Sequence, residues 1–596
     1  MLLLLIVSIQ LIVFLPSFKL ALFGDDWMVF WRYKRLLVEN AYHQNFTHLT
    51  YFLTPYGPMD INFGLLQKIF SYNSVYYQIV AFIYRFILTA TIYLSMKTLL
   101  KSKLAGFTAS LFFSIATAGL DTTNWVFNMT SYLGMAAGVV FLYFYFTSSV
   151  EKSLKRLIFS YVFLFLAFII VPVRAHGFIP LILLMEGVRL FFGNFRLNVR
   201  EIPVRIILLV ITVFLVRTIG TSFANPDESI FRMKTGLSLI KENVKTGQNY
   251  GILLYLPATV SNLLIPDRYL PFIEKQIDLR VLGRARPFPL FSFFVFSFYS
   301  YFLSLIAKDK AGSKIMFFKR MAVFISLAFA YNAINWVFYK LNPVTFSSFP
   351  IYGRTLIGGY FILLLIAFSL YAFDEIKFKL LALTGVFWMV SFLLLPWVSN
   401  PYSIFETTHR YMIGSAIGIS IFIAGVIKSN LFKAHKYPIL LIILIFTLIH
   451  AKATNYYLKS LVGLHGIKIA DKIWTFVDRN LPLKTDKFYA VAFIPDSQNG
   501  TIVHNNAFFG FPPRMSLRGN YLSDLEMPIA TMGTEELTNF VMTGERLSAH
   551  GKEPVPLPLD RFYAFEIKGT RLEDIVITDK TRELRTYFEE SLHKDQ

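Results

Sequence analysis

The sequence predicts an α-helical polytopic membrane protein, with about 13 transmembrane helices and a small extracytoplasmic C-terminal α/β domain. Three observations support this. Of the 596 residues, 55% are hydrophobic and only 16% charged, and the mean hydropathy is +0.53, which leaves too little charge to keep a soluble surface wet. Apolar runs of spanning length recur along residues 1–455. The net charge of +21 is spread through the short gaps between these runs, which reads as a topology signal and excludes a nucleic-acid surface. Cysteine is absent, so disulfides, thiolate metal sites and cysteine nucleophiles are excluded.

The run at 2–22 lacks a basic leader and a small-residue cleavage site, so it is expected to remain as the first span. Further spans are expected at 75–96, 104–120, 128–148, 157–173, 176–194, 202–220, 287–306, 321–339, 351–373, 380–397, 411–427 and 437–454. Every second gap collects basic residues: Lys97, Lys101 and Lys103, then Lys152, Lys155 and Arg156, then Arg189, Arg196 and Arg200, and later Lys428, Lys433 and Lys436. This asymmetry puts the N-terminus in the cytoplasm, and loops 23–74 and 221–286 and the tail 456–596 outside. In the first loop, MDINFGLLQKIF has apolar residues near helical spacing and is expected to lie along the membrane surface. In the second, YGILLYLPATVSNLLIP has room for one or two short re-entrant helices. The tail opens with a helical pattern, LVGLHGIKIADKIWTFVDRNLP, and continues with strand-like KFYAVAFI, DRFYAFEI and EDIVIT.

No Gly-x-Gly-x-x-Gly after a strand, no P-loop and no His-Glu-x-x-His is present, which disfavours a nucleotide-driven pump and a common zinc protease. Attention falls on FGDDWM, where Asp25 and Asp26 follow at once on the first span. Carboxylates at a helix end are tolerated as ordinary interfacial groups. Two held side by side also shift each other's protonation, so that one can serve as a base or hold a cation. Trp27, Phe30 and Trp31 beside them are expected at the headgroup level.

With these features the chain resembles the GT-C superfamily, polytopic glycosyltransferases that use polyprenyl-phosphate sugar donors. FGDDWMVF stands where that superfamily carries an acidic residue or pair early in a large first external loop. TPYGPMDINFGLLQKIF looks like its proline-glycine loop, leading into a second helix with an embedded arginine, here Arg85. GLDTTNWVFNMTSYLGMAAGVVFLYFYF looks like the second external loop, with Asp121 as its acidic residue. The likeness covers roughly residues 1–455, is strongest over the first 190, and is closer to the bacterial Rgt-like and O-mannosyltransferase-like branch than to oligosaccharyltransferases. The tail has no Trp-Trp-Asp motif, a departure that argues against transfer of a preassembled oligosaccharide to asparagine.

The resemblance implies an inverting displacement at the anomeric carbon, with polyprenyl phosphate as leaving group and Asp25 or Asp26 as the base that takes the acceptor's proton. Negative charge then grows on the departing phosphate, and preplaced cations stabilise it. The candidates at outer helix ends are Arg174, His176, Arg354, His409 and Arg410, each with the ordinary alternative of snorkelling to lipid headgroups. Arg85 falls inside a span, where an ionisable group suggests function, and where carbonyl contacts or an internal ion pair are the alternative. Asp60 and Asp121 are secondary carboxylates. A divalent cation (Mg or Mn) held by Asp25, Asp26 or Asp121 would neutralise phosphate charge, though the superfamily also works without one. The implied partners are the polyprenyl-phosphate sugar, a glycan, lipid or protein acceptor, and the bilayer, and the tail is assigned to acceptor use. Two readings compete: a transporter or lipid flippase, with charges deep in several helices, and a non-catalytic scaffold, indifferent to loss of the acidic pair.

Overall fold

The computed structural model describes residues 1–39, 57–151, 153–191, 201–223, 227–266, 288–308, 312–341, 351–482, 489–521, 528–543 and 557–594. Lys152, Arg196, Arg200 and parts of both outer loops lie outside these. Every expected span contains a helix. They are α1 (Leu2–Phe14), then α2 (Asp25–Glu39) and α3 (Gly57–Phe70) in the first loop, then α4 (Ser74–Leu100), α5 (Lys103–Ile115), α6 (Ser131–Glu151), α7 (Leu154–Ile170), α8 (Phe178–Phe191) and α9 (Glu201–Phe223). After α10 (Asp227–Thr246) in the second loop come α11 (Phe288–Lys308), α12 (Lys314–Leu341), α13 (Ile351–Tyr371), α14 (Ile376–Ser399), α15 (Met412–Val426) and α16 (Lys436–His465).

Among the described residues, eight helical segments are long and apolar enough to cross a membrane, fewer than the 13 expected. The expected spans 104–120 and 411–427 shrink to α5 and α15, of 13 and 15 residues. At 1.5 Å per residue these reach about 20–22 Å, short of the ~30 Å hydrocarbon core. The chain leaves helix where loops 116–125 and 400–411 pair through their backbones: Gly119 N–H donates to Thr407 O and Asp121 N–H to Thr408 O, both at 2.9 Å.

Arg85 of α4 closes the end of α5. Its guanidinium donates to the carbonyls of Ser114 (3.1 Å), Phe113 (3.0 Å) and Ala116 (2.8 Å), and to the hydroxyls of Tyr132 (2.9 Å) and Thr123 (3.4 Å). A helix terminus leaves its last carbonyls without intrahelical donors, and a buried arginine with five N–H groups satisfies them. Arg85 is thus engaged by carbonyl contacts, the alternative to a functional role within the span.

The second loop holds the short helix Tyr255–Ser261, as expected, and also α10, which was not foreseen. The last span continues past 454 without a break to His465, so the tail domain starts at Gly466. It comprises α17 (Ile467–Asn480), β1 (Ala490–Pro495), α18 (Phe511–Gly519), β2 (Ile529–Met532), α19 (Thr534–Met542), β3 (Phe562–Lys568), β4 (Val576–Asp579) and α20 (Thr581–Lys594). The sheet order is β2-β1-β3-β4, with β1 parallel to β2 and β3, and β4 antiparallel to β3. Alternation along β1 feeds two cores: Val491 and Phe493 pack with Trp474 and Phe511, while Ala490 and Ala492 pack with Leu537 and Phe588. Helices cover both faces, as a mainly parallel sheet requires.

Candidate functional site

Beside the paired loops lies a cavity of about 470 Å³. Its charged and imidazole lining is Asp25, Arg32, Arg174, His176, Arg232, His409 and Arg410. Five of the sequence-predicted residues, Asp25, Arg174, His176, His409 and Arg410, are thus brought together from three places in the chain.

The acidic pair is divided by helix geometry. Both residues begin α2, where carboxylates favour the positive end of the helix dipole. Asp25 is half-buried and faces the cavity. Burial raises its pKa, while the charges of Arg410 and Arg32 pull it back. Asp26 is fully buried and accepts from the backbone N–H of Phe23 (3.1 Å) and of Phe127 (2.6 Å). Burial pushes its pKa well up, opposed by those two bonds. It ties the start of α2 to the second external loop. Trp27, Phe30 and Trp31 are buried in protein contacts.

The cations come from separate elements. Arg174, in the turn after α7, donates to Asn128 Oδ1 at 2.9 Å. Arg410 lies over the rings of Trp125 (4.8 Å) and Tyr411 (5.5 Å), a stacking that fixes a guanidinium plane. His409 is pushed down to about 3, chiefly by burial and also by Arg410 and Arg174, so its ring is neutral at physiological pH. Its Nδ1 accepts from Tyr411 N–H (3.2 Å), which leaves the ring proton on Nε2. His176 places Nδ1 2.5 Å from Pro172 O, a contact that assigns the proton to Nδ1.

Other candidates have different duties. Asp60, in the first turn of α3, is ion-paired to Arg32 at 2.7 Å. Arg354, on α13, does not line the cavity and interacts with Glu406. Asp121 accepts from the Tyr457 hydroxyl at 2.6 Å, outside the cavity lining. Sequence reasoning missed Arg32, Arg232 and Glu406. Arg232 was findable, since α10 has Asp227 and Glu228 at its start, Lys245 at its end and apolar residues at helical spacing between.

Burial raises Asp121 to about 7; the Tyr457 hydrogen bond lowers it, Glu406 raises it and Arg410 lowers it. The folded state therefore binds this proton more tightly than the unfolded chain does, and stability is expected to fall as pH rises from 3.8 to about 7, then level off. Asp121→Asn keeps an oxygen for Tyr457 and should flatten that slope. Melting temperatures across this range check it, and parallel slopes in the two proteins would refute it.

No family model and no curated protein matches the chain. Among solved structures, the crystal structure of ArnT from Cupriavidus metallidurans bound to undecaprenyl phosphate is similar over 96% of this chain and 97% of that one, with 12% sequence identity and a TM-score of 0.32. A likeness that weak bears on neither activity nor ligands.

Proposed function

We propose that this protein is a membrane glycosyltransferase that moves a sugar from a polyprenyl-phosphate donor to an acceptor hydroxyl on the outer membrane face. The observation that carries the reading is the cavity itself, where the carboxylate of Asp25 faces Arg174, Arg232 and Arg410. Its volume suits a sugar and a phosphate. In this reading a lipid-borne donor enters the cavity from the bilayer. The N-terminus is cytoplasmic and the tail external, by the distribution of basic residues.

In this reading Asp25 takes the proton of the attacking hydroxyl. Its raised pKa brings it nearer to working pH, which favours a general base. The bond from the anomeric carbon to the phosphate oxygen breaks as the acceptor oxygen bonds from the opposite side, inverting the centre. Charge accumulating on the phosphate meets Arg174 and Arg410, whose positions are already set by Asn128 and Trp125. Among the described residues no three His, Asp or Glu side chains cluster, and each carboxylate oxygen of Asp26 accepts a backbone N–H, so any divalent ion would rest on Asp25 and the donor phosphate.

The test is to offer purified protein a panel of labelled polyprenyl-phosphate sugars with membrane acceptors and measure released polyprenyl phosphate. Release is expected with at least one donor. No release across a complete panel, with protein of native melting behaviour, would remove the reading in favour of transport or scaffolding.

A further inference from the structure

The helix that carries Asp25 presents three faces. Asp25, Met28 and Arg32 line the cavity. Phe30 packs on Phe63 and Tyr77, with ring centroids 5.5 and 5.2 Å away. Trp27, Trp31 and Lys34, spaced as one helix face, are all held by the tail domain. Trp31 Nε1–H donates to Tyr521 O at 2.8 Å, and Lys34 Nζ to Leu517 O at 3.3 Å. The guanidinium of Arg514, on α18, lies between two tryptophans, 4.7 Å from the Trp27 ring and 3.7 Å from the Trp474 ring. Asp478 of α17 anchors it at 3.6 Å. The backbones also meet closely. Gly24 has φ of +55°, and a Cβ there would stand 2.2 Å from the Phe509 ring. A Cβ on Gly510 would stand 2.7 Å from the Trp27 ring.

We propose that Arg514 is a positioning residue through which the tail domain sets the register of α2, and so the aim of Asp25 into the cavity. The inference rests on the transferase reading for its effect on turnover, and on packing alone for its effect on α2. A rotation of α2 that moves Asp25 by about 1 Å is enough to cost roughly 10²-fold in rate. The tail thereby acts on the chemistry itself, beyond the acceptor use that its sequence suggests.

The chain has no cysteine, so Met28→Cys places a single thiol in the cavity lining and Thr570→Cys a single control thiol on the exposed tail surface. Maleimide labelling rates of each are compared with and without Arg514→Gln, and donor cleavage is measured in full-length proteins lacking either thiol. The expected result is a severalfold change in labelling at position 28 and none at 570, with kcat reduced about 10²-fold, donor KM within twofold, and most of the rate recovered in Arg514→Lys. Unchanged labelling at 28, or turnover within twofold of wild type, would overturn the proposal. Altered labelling at 28 in a protein whose wild type cleaves no donor would keep the coupling and remove the transferase reading. Should labelling at 570 also rise, marking an unfolded tail, Gly510→Ala is scored by the same criteria, because it pushes on the same ring while leaving Arg514 in place.

Discussion

Asp25→Asn is expected to lower donor cleavage by about 10²–10⁴-fold, the usual contribution of a general base, with little change in melting temperature. The residue is half-buried and faces the cavity, so its amide analogue keeps the shape and removes only the proton acceptor. Asp26→Asn should behave in the opposite way. Its carboxylate oxygens accept from Phe23 and Phe127 N–H, and an amide turns one acceptor into a donor facing an N–H. That change costs about 1–3 kcal/mol of stability while turnover per folded molecule survives. Steady-state release of polyprenyl phosphate, normalised to folded protein, separates the two. Equal loss of turnover in both variants would mean that the pair acts as a unit and that Asp25 alone is not the base.

Arg85→Met is expected to destabilise the protein by about 3 kcal/mol or more, with turnover per folded molecule retained. Methionine preserves much of the stem but strands the carbonyls of Phe113, Ser114 and Ala116 inside the helix bundle. It also forfeits the stacking over Phe14, 4.8 Å away. All five N–H groups of this arginine have protein acceptors, so none remains for a substrate. Thermal melting in detergent reads the loss. A melting temperature within about 2 °C of wild type, where 3 kcal/mol predicts a larger shift, would show that water or a neighbouring donor replaces the guanidinium.

The expected helices were legible because hydropathy and charge are properties of short windows. They failed as span lengths at 104–120 and 411–427, where the apolar run continues in sequence but the backbone leaves helix to pair with a distant loop. The tail's strands at 490–495 and 562–568 showed in their apolar runs, whereas β2, four residues long, carries too brief a pattern. The candidate site was partly legible. Asp25, Arg174, His176, His409 and Arg410 stand at helix ends, a position that hydropathy marks. Arg354 stands at such an end too and lines no part of the cavity, because helix ends share a membrane face without sharing a recess.

By itself the sequence determined that this is a helical membrane protein with a terminal α/β domain, and that two carboxylates open its first loop. Only the tertiary structure decided which carboxylate reaches the cavity, since neighbours on a helix point about 100° apart and the letters Asp-Asp do not say which way the helix is turned. That rotation is set by contacts from remote segments: Phe127 on Asp26, and Tyr521, Leu517 and Arg514 on the opposite face of α2. Burial of those aromatic and backbone partners, more than any local propensity, aims Asp25.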